Sequence, residues 1–191
     1  RIKHLGIARR AEKGIELRVH PTLIPDEQLI ANVNGVKNAV LVQANAVGPT
    51  LYYGAGAGAG PTASAVVADV IDIVRDISYT EDGAGTIPQL AFEALTNMPI
   101  LSREEMTTGY YIRLNAEDQT GVLADVTTIL SRAGISIDAI MQQSRLKDLI
   151  PIVILTDPIV ESKMDDALAQ IQALPAIRGE IVRIRLESLD S

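Results

Sequence analysis

The alternation of apolar and polar positions places most of the elements of this chain. Residues 2–9 and 14–20 have the period-two pattern of strands, with Ile15, Leu17 and Val19 alternating with Glu16 and Arg18 as in a half-buried strand. A polar turn at Glu12-Lys13-Gly14 joins them, and Pro21 is expected to stop the second, because proline cannot donate to a ladder. Pro25-Asp26-Glu27 reads as a helix opening, with the acids near the positive helix end, for a short helix to about Val33. Asn38–Gln43 reads as a buried strand and Val47–Tyr53 as its partner across a turn at Asn45. The run from Gly54 to Gly60, G-A-G-A-G-A-G, has no side chain larger than methyl. Thr62–Ile77 is then predicted helical, with Val66, Val67, Val70, Ile71 and Val74 in one stripe.

From Ser78 to about Thr107 the periodicity weakens and Gly83, Gly85, Pro88 and Pro99 accumulate, so 78–107 is read as a linker or crossover. Beyond it the pattern is regular. A strand at Tyr110–Asn115 leads to a helix at Val122–Ala133, stopped by Gly134. Strands at Ile135–Arg145 and Leu149–Thr156 form a hairpin across Lys147-Asp148. Ser162 is expected to cap a helix to about Ala173, with Met164, Ala167, Leu168 and Ile171 facing inwards, and Glu180–Leu186 closes the set. The order βαββαβ predicts a ferredoxin-like fold over 108–191, behind an α/β segment over 1–77, so the chain is α+β.

Composition sharpens this picture. Apolar residues make up 47% but aromatics only 3%, so the core must be aliphatic. A net charge of −7 argues against nucleic acid, which needs clustered Lys and Arg. No apolar run reaches membrane-spanning length and no signal peptide is visible, so a cytoplasmic protein is expected. The absence of cysteine excludes disulfides and thiol catalysis. Two histidines are too few for a His-rich metal site; there is no metal-ligand spacing, no Ser/His/Asp set and no acid–base pair, so no catalytic residue is expected in this span. The chain opens at Arg1, directly before a strand, and reads as a piece of a longer protein.

Two constellations could carry chemistry. A strand, a glycine-rich turn and a helix can bring backbone N–H groups against a phosphate, which nominates Gly54, Gly56, Gly58, Gly60 and Thr62. No lysine follows, so this is not a Walker loop, and the alternative is a turn where two backbones pack closely. The second is Asp118-Gln119-Thr120-Gly121-Val122-Leu123 at a helix start. There Asp118 or Thr120 could serve as a plain cap. Alternatively, Gly121 leaves room for a small amino acid, whose carboxylate meets the N–H groups of Val122 and Leu123 and whose ammonium meets Asp118 or Asn115. Gln142 and Gln143 are further polar residues in a strand, and Asn32, Asn34 and Asn38 read as turn residues. His20 reads as a structural hydrogen-bonder and Arg9-Arg10 as a solvated strand end.

Leu5–Arg9 (L-G-I-A-R), Gly14–Pro25, Ala31–Val40, Gly48–Gly58 (G-P-T-L-Y-Y-G-A-G-A-G) and Pro61–Asp69 follow in an order that closely resembles bacterial homoserine dehydrogenase. The last eighty or so residues resemble its C-terminal ACT domain, D-x-x-G-V-L loop included. The resemblance covers essentially the whole chain. It implies NAD(P)-linked interconversion of aspartate semialdehyde and homoserine, on the route to threonine and methionine. It also implies that the nucleotide-binding fold and the acid-and-lysine catalytic segment lie upstream, so the span alone is expected to be inactive and to hold no cofactor. In that family the glycine loop approaches the nicotinamide cofactor and the following helix packs on the nucleotide domain. The ACT domain implies feedback control by threonine and pairing of subunits, and the chain is expected to form a homo-oligomer through both parts. The competing reading is a free-standing amino-acid-binding regulator.

Overall fold

The computed structural model describes residues 1–79, 96–142 and 149–189. In chain order its strands are β1 (Ile2–Ala11), β2 (Gly14–Leu23), β3 (Lys37–Ala44), β4 (Gly48–Ala55), β5 (Thr107–Glu117), β6 (Ile137–Gln142), β7 (Leu149–Val160) and β8 (Ile177–Leu186). Its helices are α1 (Ala59–Tyr79), α2 (Val122–Arg132) and α3 (Glu161–Gln172). Two compact units result, Arg1–Glu27 with Met98–Asp190, and Gln28–Asn97.

The first unit contains the expected βαββαβ fold. Its strands lie in the order β8-β5-β7-β6, with every neighbouring pair antiparallel. Alternate residues of β5, Tyr110, Ile112, Leu114 and Ala116, are buried against the two helices. The helices answer with Val122, Val126 and Leu130 from α2 and Met164, Ala167 and Ile171 from α3, spaced to share one face. Burying each larger aliphatic side chain contributes roughly 1.5–3 kcal/mol. Gly134, at φ 71°, ends α2, its N–H bonding Ser131 O while that of Ile135 bonds Leu130 O. Helix α3 begins two residues earlier than expected. Its N-cap is Val160 and no side chain caps it, so Ser162 lies inside the first turn. The Glu161 N–H instead bonds Met106 O at 2.8 Å.

Strands β1 and β2 extend this same sheet, giving the order β1-β2-β8-β5-β7-β6. Strand β2 lies parallel to β8 at Thr22 and Leu23. It does not stop at Pro21, which sits opposite His4. The proline is tolerated because β8 reaches β2 only beyond it, leaving β2 an edge at that point. Burial along β2 falls on the charged positions: Glu16 and Arg18 are 5% and 7% exposed, whereas Leu17 and Val19 are 44% and 71% exposed. The buried charges are paired. Arg18 lies 2.6 Å from Glu16 and 2.5 Å from Glu187, and Arg9 reaches the other oxygen of Glu187. Arg9 is therefore not simply a solvated strand end.

The same polar face continues across β8. Glu161 is fully buried; it accepts hydrogen bonds from Tyr110 Oη at 2.7 Å and Arg185 Nε at 2.9 Å, with Arg183 and Arg103 beside it. Asp165 pairs with Arg183 and Arg103. Burial alone would raise the Glu161 carboxyl, but the bonds from Arg185 and Tyr110 outweigh it and hold it below its ordinary value. Burial, then the neighbouring Glu161, push the Tyr110 hydroxyl up.

Of the expected linker 78–107, residues 80–95 lie outside the described part, as do Gln143 and the Lys147-Asp148 turn. The segment from Pro99 onward is bound to the first unit. Ile15 N–H bonds Pro99 O, Leu101 N–H bonds Ile15 O, and a capping box of Ser102 and Glu105 opens a turn of 3-10 helix.

The second unit holds the β3–β4 hairpin and α1. Pro25-Asp26-Glu27 does not open a helix; only a four-residue 3-10 turn, Leu29–Asn32, forms beyond it. The expectation of a buried strand at Asn38–Gln43 fails as well: β3 is largely exposed, since no described element of the unit covers it. Helix α1 begins within the glycine run. Its stripe of Val66, Val67, Val70, Ile71 and Val74 is 45–57% exposed.

Glu187→Gln is expected to destabilise the first unit by about 3 kcal/mol, since it breaks a buried ion pair. An unchanged urea midpoint would refute that. His20 supplies a pH signature. Burial, then the charges of Arg185 and Arg18, lower its pKa against the opposing Pro21 carbonyl and Glu161. The unfolded chain therefore takes up the proton first. The His20 contribution is complete above about pH 6.5 and lost progressively as pH falls below it. Chemical denaturation between pH 5 and 7.5 should show this slope, and His20→Gln should flatten it.

Candidate functional site

The glycine positions expected to act together lie in one turn between β4 and α1. Gly54 is in β4, and the Gly56 N–H bonds Val36 O at 2.9 Å. Gly58 has φ 123°, a conformation that L side chains rarely adopt, and its carbonyl accepts from Thr62 N–H at 3.1 Å. Gly60 and Thr62 belong to the first turn of α1. The four glycines differ in what demands them. Gly58 is required by its dihedral angle. At Gly56 a Cβ would fall on the side-chain amide of Asn38. At Gly54 and Gly60 nothing lies within 4 Å of a Cβ, so the backbone is open to an approaching group.

A shallow concavity adjoins this turn, lined by Asn38, Val40, Tyr52, Tyr53, Gly54 and Gly56. Lys37 stands opposite Ala55 in the β3–β4 register, with its ammonium 5.7 Å from the centre of the Tyr53 ring. Asn38, read from sequence both as the first residue of a strand and as a turn residue, lies in the strand, opposite Gly54.

The second constellation is contiguous at the start of α2. Gly121 is the N-cap, at φ 98° and ψ −17°, and carries no side-chain cap; neither Asp118 nor Thr120 occupies the N-cap position. Nothing lies within 4 Å of a Cβ at Gly121. Asp118 is exposed, Leu123 is partly buried and Val122 belongs to the core. Asn115 sits in β5 opposite Pro151 and Arg178, between core-facing Leu114 and Ala116, so alternation turns it to the face away from the helices. Glu117 anchors the loop, held by Arg178 at 2.5 Å and by Gln119 Nε2 at 2.7 Å. Among the described residues no cluster of His, Asp and Glu could hold a metal ion.

The comparisons with known proteins fit this geometry. The family model "Homoserine dehydrogenase" matches residues 1–71, through the glycine turn and into α1, and the model "ACT domain" matches residues 110–175. A homoserine dehydrogenase of Pseudomonas aeruginosa is 54% identical over 194 residues, covering 100% of this chain and 44% of the relative. One from Neisseria gonorrhoeae is 50% identical, covering 99% of this chain and 44% of the relative. The crystal structure of a homoserine dehydrogenase from Thiobacillus denitrificans superposes with a TM-score of 0.89 at 56% identity, over 100% of this chain and 43% of that one. The chain belongs to the homoserine dehydrogenase family. It spans less than half the length of these relatives.

Family modules and hydrogen bonding divide the residues of this chain differently. Strands β1 and β2 lie within the span of the first family model, yet they are bonded to the sheet of the ACT fold. The Glu187 ion pairs join Arg9 and Arg18, within the span of the first model, to a residue beyond the second.

The glycines make a graded prediction. Gly58→Ala and Gly121→Ala should each cost about 1–2 kcal/mol through left-handed strain alone. Gly54→Ala, with open space and an ordinary φ, should be close to neutral for folding. Thermal melting of the three variants checks the order; equal losses would show that the turns are not what demands glycine.

Proposed function

We propose that this chain is the C-terminal part of an NAD(P)-dependent homoserine dehydrogenase, interconverting aspartate semialdehyde and homoserine, with an ACT domain for feedback control. The observation that carries this reading is the match of two family models, in order, onto a chain whose glycine turn has open backbone at Gly54 and Gly60. That open backbone suits a flat or phosphorylated group. A bound nicotinamide would supply the hydride chemistry. The chain's own part is to bind and orient it. Gly54, Gly56, Gly58 and Gly60 let the backbone approach, Thr62 lies in the first turn of α1 at its positive end, and Lys37 adds a cation across from Ala55. The acids and lysine for proton transfer belong to the segment that the family resemblance places upstream. The protein is a cytoplasmic oligomer in this reading; no described helix is long and apolar enough to cross a membrane.

The exposed stripe of α1 supports the same reading, because a helix with so many half-exposed valines and isoleucines is built to be covered. The nucleotide domain covers it in the intact enzyme. For the ACT part, the effector is a small amino acid, threonine, held at Asn115, Asp118, Gly121, Val122 and Leu123. Asn115 turns to the helix-free face, so it contributes where two ACT domains meet.

Two measurements test this function. The 191-residue chain should not oxidise homoserine with either nicotinamide cofactor, whereas the full-length protein should; activity in the short chain would overturn the assignment of roles. Calorimetry of the full-length protein against a panel of amino acids should show threonine binding that Gly121→Asp abolishes while the melting curve stays cooperative. If threonine fails to bind to the full-length protein, the loop is only a helix start, and the regulatory part of the proposal falls.

A further inference from the structure

We propose that Asn38 is a positioning residue of the nicotinamide dinucleotide site, holding the β4–α1 turn through Gly56 and offering its side-chain amide to the bound group. This rests on the reading of the glycine turn given above. Three observations carry it. The register of β3 and β4 sets Asn38 opposite Gly54, and the same register continues past the strands to bring Gly56 opposite Val36. The amide nitrogen of Asn38 occupies the place where a Cβ of residue 56 would stand, so the two residues are complementary in shape. The amide makes no hydrogen bond among the described residues, although it lines the concavity beside the turn.

A residue kept only to fill space beside a glycine needs no hydrogen-bonding groups, and an aliphatic residue suits a strand better. A primary carboxamide brings a donor pair and an acceptor. It can give a hydrogen bond to a phosphate oxygen or to the carbonyl of another carboxamide, and a nicotinamide dinucleotide carries both. The contact with Gly56 fixes where the amide stands, so the ligand meets a donor already in place. Asn38 acts on affinity for the dinucleotide and on the shape of the turn. No proton or hydride passes through it.

The test uses the full-length enzyme and reads binding of NADPH and NADH by fluorescence, with melting temperature alongside. Asn38→Ala should weaken dinucleotide binding about tenfold, the size of one lost hydrogen bond, with little change in melting. Asn38→Asp keeps the shape and removes the donors, and should weaken binding at least as much. Gly56→Ala should lower both affinity and melting temperature, because its methyl meets Asn38. The double variant Gly56→Ala/Asn38→Ala should recover the melting temperature and leave affinity low. If the double variant recovers both, or if Asn38→Ala and Asn38→Asp bind like the wild type, Asn38 is packing alone and the proposal is overturned. If the wild-type enzyme binds neither dinucleotide, the nicotinamide reading of the turn fails and takes this proposal with it, an outcome distinct from unchanged binding in the variants.

Discussion

A fully buried carboxylate at a helix start packed on a sheet must be paired, because an isolated charge there would cost many kcal/mol. Glu161 meets this constraint by drawing Tyr110 from β5, Arg183 and Arg185 from β8, and Arg103 from the incoming chain to one point. The arrangement of the first unit follows from it. Helix α3 starts where Glu161 can reach these partners, and the Glu161 N–H bonds Met106 O, which ties the helix start to the chain entering β5. Glu187 repeats the solution one step outward, where Arg9 and Arg18 bring the hairpin onto the sheet. One side of the sheet thus changes character along its width, from aliphatic under α2 and α3 to ionic at β8 and β2.

This ionic half explains what the alternation of polar and apolar positions reveals and what it hides. Over 108–191 the pattern gives the order of elements, the inward face of α3 and the glycine that stops α2, because each is set by local periodicity and burial against a neighbour close in sequence. Along β2 the same rule misleads. Val19 and Leu17 mark a strand correctly, but the buried face is that of Glu16 and Arg18. Arg18 pairs with Glu16 nearby, but its other partner Glu187 lies 169 residues away, and no local pattern announces it. The Pro21 stop fails for a related reason: whether a proline is tolerated depends on which flank of the strand is paired, and that is a tertiary fact.

The candidate sites divide in the same way. The glycine run is legible as a turn before a helix, yet its letters do not say which glycine answers to a dihedral angle, which to a neighbour and which to an open space. Gly58, Gly56 and Gly54 give those three answers in turn. Only the structure shows Asn38 lying against Gly56, since the two meet by strand register. At the start of α2, Gly121 is legible as a special position. Its reason is the left-handed backbone, and the open space beside it is a separate fact that matters to a ligand.

The disagreement between family modules and hydrogen bonding has a physical origin. A module boundary follows where sequence is shared among proteins; a fold boundary follows where contacts are dense. Here β1 and β2 satisfy both at once. They belong with the homoserine dehydrogenase match, yet Thr22 and Leu23 complete the edge of β8 that a lone ACT fold would leave unpaired. The chain leaves the first unit after Glu27 and is bound to it again from Pro99, where the Ile15 N–H and carbonyl take up Pro99 and Leu101.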